Sequence, residues 1–235
     1  MMLALARNIP QGHSGLINGE WNRHALVGVE LRGKSLGIVG IGKIGREVIK
    51  RCKSFQMNIF GYDPYCNQDM FKKDEVKLVD LDTLTRESDF ISLHLPINDK
   101  TRNLFDLSRL KMMKTTAVII NVARGGIVNE IDLVTALNED IIGGAALDVY
   151  SSDPLESNHP LTNTKHVILT PHLGASTKEA KEGVSIAVCE SVRDYLTHKI
   201  LTGGLNVPIS DYGNLTELSP FLDLAKAWNH TWIFY

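Results

Sequence analysis

Cysteine is scarce in this 235-residue chain: Cys52, Cys66 and Cys189 are odd in number, far apart and without a CxxC spacing. That excludes a disulfide framework, leaves no His or Cys grouping with metal-ligand spacing, and fits a reducing, cytoplasmic compartment. Long apolar runs are missing as well. The opening MMLALA follows no basic stretch and ends at Arg7 and Asn8, far short of the roughly 20 residues a membrane span needs. Neither a signal peptide nor a transmembrane helix is expected. An excess of one charge is also absent: the formal net charge is -2, with Lys and Arg scattered among Asp and Glu. No basic footprint points to nucleic acid or to an anionic membrane, so small molecules or protein are the expected partners. There is no internal repeat and no low-complexity tract.

What is present is an ordinary globular mixture, 43% hydrophobic and 22% charged, in a length that suits one large domain or one and a half. Short apolar runs recur with helical-period segments between them: SLGIVG (35–40), MNIFGYD (57–63), DFISLHLP (89–96), TAVIINVA (116–123), GGAALDVY (143–150) and HVILTPH (166–172). This alternation is the signature of stacked βαβ units, and successive apolar positions mean strands covered on both faces. The expected fold is α/β, a Rossmann-type doubly wound parallel sheet. Helices are expected over 2–8, from the glycines after the first run to Phe55, over 132–138 and over 176–198, the last with Ser176 as cap and Glu179 closing a capping box. Residues 9–34 read as an irregular connection.

Residues 36–48, LGIVGIGKIGREV, carry Gly40, Gly42 and Gly45. A lone GxGxxG is weak, because any tight strand-to-helix turn uses glycine. Here it follows an expected strand, opens an expected helix, and Asp63 closes the next strand 18 positions after Gly45. Those are the parts of a dinucleotide fingerprint: Gly40 for the turn, Gly42 for backbone approach to a pyrophosphate, Gly45 for close helix packing, and a helix N-terminus offering free N–H groups. Asp63 would accept from the ribose hydroxyls and repel a 2′-phosphate, which favours NAD over NADP.

In an open parallel sheet, ligands bind beyond the carboxyl ends of the strands. His94 and Pro96, Asn121 and Arg124, Asp148, and His172 all fall at such ends. Arg124, followed by Gly125 and Gly126, has room for its guanidinium to hold a carboxylate in a two-pronged hydrogen bond. His172, between Pro171 and Leu173–Gly174, sits in a constrained turn and suits proton transfer at an alcohol oxygen. Asp153, in YSSDPLE, could orient it. His94 is read as mostly structural.

With GIGKIG, YDP, HLP, NVARGGIVNE, AALDVY and TPHLGAS in order, the chain resembles the NAD-dependent D-2-hydroxyacid dehydrogenases from about residue 1 to about residue 227. GVELRGK (28–34), PHLGASTKEA (171–180) and LNVP followed by LSPFLDLA (205–208, 218–225) place it nearest the branch that oxidises 3-phosphoglycerate to 3-phosphohydroxypyruvate in serine synthesis. The resemblance implies a cofactor site of Gly40, Gly42, Lys43, Ile44, Gly45, Asp63, Leu95, Pro96, Val122, Ala123, Arg124, Asp148, His172, Leu173, Gly174 and Ala175, with Lys43 and Ile44 on the pyrophosphate and Asp148 on the nicotinamide carboxamide. It implies a catalytic trio of Arg124, Asp153 and His172, in which Asp153 stands where the family has glutamate, one methylene longer. Relatives acting on glyoxylate, hydroxypyruvate or lactate, and a non-catalytic NAD-binding fragment or regulator, are the alternatives.

By the same resemblance, residues 1–30 form an interdomain helix and irregular segment through which a homodimer assembles. Residues 31–175 form the NAD-binding domain, 176–200 a returning helix, and 201–235 a remnant of the substrate domain with an atypical tail. The family's substrate domain draws mostly on sequence before the matched region, so a cofactor domain cut at both ends is expected, with Trp228, Trp232, Phe234 and Tyr235 poorly buried.

Overall fold

The computed structural model describes residues 1–71, 75–198, 220, 221 and 224. It divides into two units, Met1–Gly174 and Ala175–Tyr235. The second contains the helix Lys178–His198. The expected substrate-domain remnant of 201–235 and its aromatic tail lie outside the described residues, apart from three isolated positions.

The first unit is one seven-stranded sheet, all parallel. In chain order its strands are β1 (Ser35–Val39), β2 (Asn58–Tyr62), β3 (Lys77–Leu78), β4 (Phe90–Leu93), β5 (Val118–Asn121), β6 (Gly144–Leu147) and β7 (Val167–Leu169). They lie side by side as β3-β2-β1-β4-β5-β6-β7. The doubly wound expectation is met: chain order runs outward from β1 to one edge, then restarts at β4 on the other side. The place of reversal is between β1 and β4, where Leu36 pairs with Phe90 and Val39 with Leu93.

The successive apolar positions behave as two-sided burial requires. Leu36, Ile38, Phe90, Ile120 and Ala146 join one apolar cluster. Val39, Ile91, Leu93, Ile119, Ala145 and Leu147 join the other. Alternate side chains of one strand thus feed opposite faces. The helices covering them are α1 (Met2–Ala6), α3 (Lys43–Ser54), α4 (Leu81–Glu87), α5 (Leu107–Leu110) and α6 (Glu130–Asn138), whereas α2 (Ile9–Ile17) buries none of its residues and α7 is the second unit's Lys178–His198. In α3, Gly45, Ile49 and Cys52 are buried while Arg46, Lys50 and Lys53 face outward.

Three expectations need correction. The segment after Asn8 is not irregular throughout, because Ile9–Ile17 is helical. Pro10 sits in its first turn, where a missing N–H costs nothing, and Asn8 takes the left-handed conformation (φ 51) that turns α1 into α2. The cap of α7 is Thr177 rather than Ser176: Thr177 Oγ1 accepts from Ala180 N at 3.0 Å and its carbonyl from Lys181 N. The helix starts one residue later than the S-x-x-E spacing suggests. The two-residue β3 was not anticipated, being too short to show a period.

His94, just past β4, bonds through Nε2 to Ser92 Oγ at 3.0 Å, and burial pushes its pKa down to about 4. A histidine whose pKa is lower folded than unfolded contributes stability that is present above the ordinary value near 6.5 and is lost as pH falls toward 4. Denaturant unfolding should show a loss on the order of 2–3 kcal/mol across that interval. His94→Asn should remove this slope; an identical slope in wild type and variant would contradict it. The carboxyls of Glu47, Asp80 and Asp89, also held below their usual range by their hydrogen-bond partners, add to the slope only near its acid end, and do so equally in the variant.

Candidate active site at the carboxyl edge of the sheet

Because all seven strands are parallel, the residues that follow each one share an edge. Gly40 follows β1, Asp63 follows β2, His94, Leu95 and Pro96 follow β4, Val122, Ala123 and Arg124 follow β5, Asp148 follows β6, and His172 lies shortly beyond β7. The topology therefore gathers the residues read from the sequence, Ala175 excepted, which belongs to the second unit.

The glycine turn is built as its three positions require. Gly40 has φ +94, and a Cβ there would lie 2.5 Å from the His94 carbonyl oxygen, across the reversal point. A Cβ on Gly45 would lie 2.2 Å from the Gly40 carbonyl oxygen. Gly42 is the contrast: nothing lies within 4 Å of the place a Cβ would take, so its omission leaves open space. Gly42 is also the N-cap of α3 and makes no side-chain cap. The amides of Lys43 and Ile44 sit in the first turn, where a helix offers them no acceptor. A pyrophosphate fits this arrangement.

Asp63 ties the two sides of this corner. Its Oδ2 accepts from Ile41 N at 2.8 Å and its Oδ1 from Tyr65 N at 2.9 Å. Each carboxylate oxygen keeps acceptor capacity for a hydroxyl. Arg46 closes the other flank, with Nε donating to the Ile41 carbonyl and its guanidinium over the Phe71 ring.

Asn121 shapes the turn that presents Arg124: its Nδ2 donates to the Arg124 carbonyl at 2.9 Å, and its Oδ1 accepts from Ala123 N. Arg124 is exposed, and one guanidinium nitrogen donates to the Ala123 carbonyl at 2.6 Å. The next residue explains why glycine follows: a Cβ on Gly125 would lie 1.7 Å from the Tyr150 carbonyl oxygen.

His172 and Asp153 meet. Nδ1 of His172 lies 2.7 Å from Asp153 Oδ2, with both side chains about half exposed, 51% and 48%. The shorter carboxylate therefore reaches the imidazole. His172 occupies the left-handed region, φ 54, in the constrained turn its neighbours suggested. Asp148 holds that turn: Oδ1 accepts from Leu173 N and Oδ2 from Gly174 N, each at 2.8 Å. The Thr170 hydroxyl bonds Oδ1 as well. Ala175 is described only within the second unit, where its carbonyl accepts from Thr177 N.

Three supporting residues escaped the sequence reading. Tyr150 donates its hydroxyl to the Thr170 carbonyl at 2.8 Å, Ser151 bonds through N and Oγ to Glu130 Oε1, and Glu130 is buried. The available signal was weak, since Glu130 sits between two other polar residues, Asn129 and Asp132, in GGIVNEIDLV. Among the described residues no group of three or more His, Cys, Asp or Glu could hold a metal ion, and no helix is long and apolar enough to cross a membrane.

The sequence model of the family described as "D-isomer specific 2-hydroxyacid dehydrogenase, NAD binding domain" matches residues 1–174. The chain is 43% identical over 227 residues to D-3-phosphoglycerate dehydrogenase of Methanocaldococcus jannaschii, covering 96% of this chain and 43% of that protein. It thus spans about two-fifths of the length of the curated relatives it matches. Among solved structures, a glyoxylate reductase from Paecilomyes thermophila superposes with a TM-score of 0.80 at 32% identity, over 87% of this chain and 62% of that one. An NAD-dependent formate dehydrogenase from Staphylococcus aureus, in complex with NAD, gives 0.77 at 33% identity, over 86% and 61%.

Packing at the glycines yields a direct contrast. Gly125→Ala should lower stability by about 2–4 kcal/mol, since backbone must move to admit the methyl group. Gly42→Ala should lower the melting temperature far less, by the small cost of alanine at an N-cap. Equal effects of the two substitutions on thermal unfolding would contradict this packing.

Proposed function

The chain belongs to the D-isomer specific 2-hydroxyacid dehydrogenases, and from that premise we propose that it takes part in NAD-dependent interconversion of a D-2-hydroxy acid and its 2-oxo acid. The observation that carries the reading is the shared edge: open space at Gly42, the Asp63 corner, Arg124 and the Asp153–His172 pair all follow carboxyl ends of parallel strands.

Residues 31–175 are assigned to NAD binding. The first-turn amides of Lys43 and Ile44 face the pyrophosphate, Asp63 takes the ribose hydroxyls, and Leu95, Pro96, Val122 and Ala123 line the cleft. Asp148, with acceptor capacity left after its loop bonds, takes the carboxamide. Bound NAD supplies the acceptor for the hydride that leaves the substrate carbon. The chain's own groups do the rest. Arg124 holds the substrate carboxylate in a fixed orientation. Because Nδ1 of His172 faces Asp153, Nε2 is the nitrogen left to take the hydroxyl proton, and the Asp153 carboxylate supports the imidazolium that results.

The substrate proposed is 3-phosphoglycerate, the reaction that opens serine synthesis. Its support is the 43% identity with a D-3-phosphoglycerate dehydrogenase, against 32% with the glyoxylate reductase. Action on glyoxylate, hydroxypyruvate or lactate is the alternative in the same family. A cytoplasmic setting belongs to this reading, supported by the free thiols of Cys52, Cys66 and Cys189.

A homodimer through residues 1–30 is also proposed. Leu3, Ile9, Leu16, Ile17, Trp21 and Val27 are exposed there, an apolar surface that a second copy would cover. A monomer at every concentration in sedimentation would overturn this.

His172→Ala should lower the rate of NADH-dependent reduction of 3-phosphohydroxypyruvate by about a thousandfold and leave NADH binding largely intact. Turnover surviving in the variant would remove His172 from the acid/base role. NADH binding without turnover in the wild-type chain would favour the non-catalytic module.

A further inference from the structure

Glu130 is the first residue of α6, and its carboxylate is buried, 9% exposed. A glutamate at this place usually serves its own helix, by favourable charge at the N-terminus or by closing a cap. The start of α6 is already capped: Asn129 Oδ1 accepts from Ile131 N and Asp132 N, both at 3.1 Å. Glu130 instead reaches across 21 residues to the loop after β6, where Oε1 accepts from Ser151 N at 2.6 Å and from Ser151 Oγ at 2.8 Å. Its other oxygen lies 3.4 Å from His159 Nε2. His159 Nδ1 accepts from Leu161 N, so a neutral His159 carries its proton on Nε2 and directs it at Glu130.

Ser151 stands where three loops meet. Asp153 lies two residues on. Tyr150, one residue back, donates to the Thr170 carbonyl at 2.8 Å, at the base of the turn that holds His172. On the third side, a Cβ on Gly125 would lie 1.7 Å from the Tyr150 carbonyl oxygen and 2.7 Å from Ser151 N, so the Arg124 turn is packed directly on this junction. The Ser151 side chain is exposed. The buried carboxylate of Glu130 is what its amide and hydroxyl bond.

We propose that Glu130 is a positioning residue: by fixing Ser151 it sets the approach of Asp153 to His172. This rests on the acid/base reading of His172, but its immediate consequence is structural and can be read without turnover. With Asp153 at Nδ1, a neutral His172 carries its proton on Nδ1. An imidazole without that partner populates the Nε2–H form instead.

The test is the tautomer of His172, read from two-bond proton–nitrogen correlation spectra of the chain labelled with ¹⁵N-histidine, at a pH where imidazole is neutral. The signal is assigned by its disappearance in His172→Gln. Wild type should show the Nδ1–H form in excess. Glu130→Ala should lose that excess, and Glu130→Gln should restore it, because an amide oxygen still accepts from Ser151. Should Glu130→Ala fail to fold, Ser151→Ala, which removes one of the two hydrogen bonds to Glu130 and keeps the amide bond, should lose part of the excess. Retention of the wild-type tautomer in folded Glu130→Ala, or in Ser151→Ala if that variant carries the test, overturns the role of Glu130 and leaves the reading of His172 standing. A wild-type His172 already in the Nε2–H form overturns the Asp153–His172 pairing and the inference with it.

Discussion

The candidate site depends on carboxylates that bond the amides of neighbouring loops. Beyond the last residue of each strand the sheet no longer supplies partners, and backbone N–H groups that turn inward must find acceptors elsewhere. Asp63, after β2, accepts from Ile41 N after β1. Asp148, after β6, accepts from Leu173 and Gly174 after β7. Glu130, at the head of α6, accepts from Ser151 after β6. Each bond crosses from one βα unit to the next, so the loops of this edge are fixed relative to one another.

Such carboxylates are costly to bury unless fully partnered. Among the described residues no buried side-chain nitrogen or oxygen lacks a hydrogen-bond partner. The result is an edge in which groups proposed to meet a ligand, Arg124, Asp153 and His172, are exposed or half exposed, while the groups beneath them, Asp148 and Glu130, are buried. Reactive side chains are thereby carried on a support whose own rotamers are locked. The left-handed conformation of His172 is sustained in the same way, by the amides on its C-terminal side being held on Asp148.

Much of this was legible in the sequence because its signals are local. Apolar runs marked six strands, and the position of GIGKIG between a strand and a helix marked the glycine turn. What escaped depends on partners distant in sequence or on weak local signals. The helix Ile9–Ile17 was hidden by Pro10, Gly12 and Gly15, which read as loop residues although a first-turn proline is harmless. The two-residue β3 carries no period. Thr177 won the cap from Ser176 by one position. Glu130 ends the motif NVARGGIVNE, but its contact with Ser151 exists only after β5 and β6 pair.

Everything proposed for this edge requires that the turn from Gly40 to Gly45, with Asp63 beside it, bind a dinucleotide and prefer NAD. Calorimetric titration of the 235-residue chain with NADH and, separately, with NADPH tests it most directly. NADH should bind saturably at one site and NADPH much more weakly, because the Asp63 carboxylate opposes a 2′-phosphate. No binding of either, or a preference for NADPH, would contradict it.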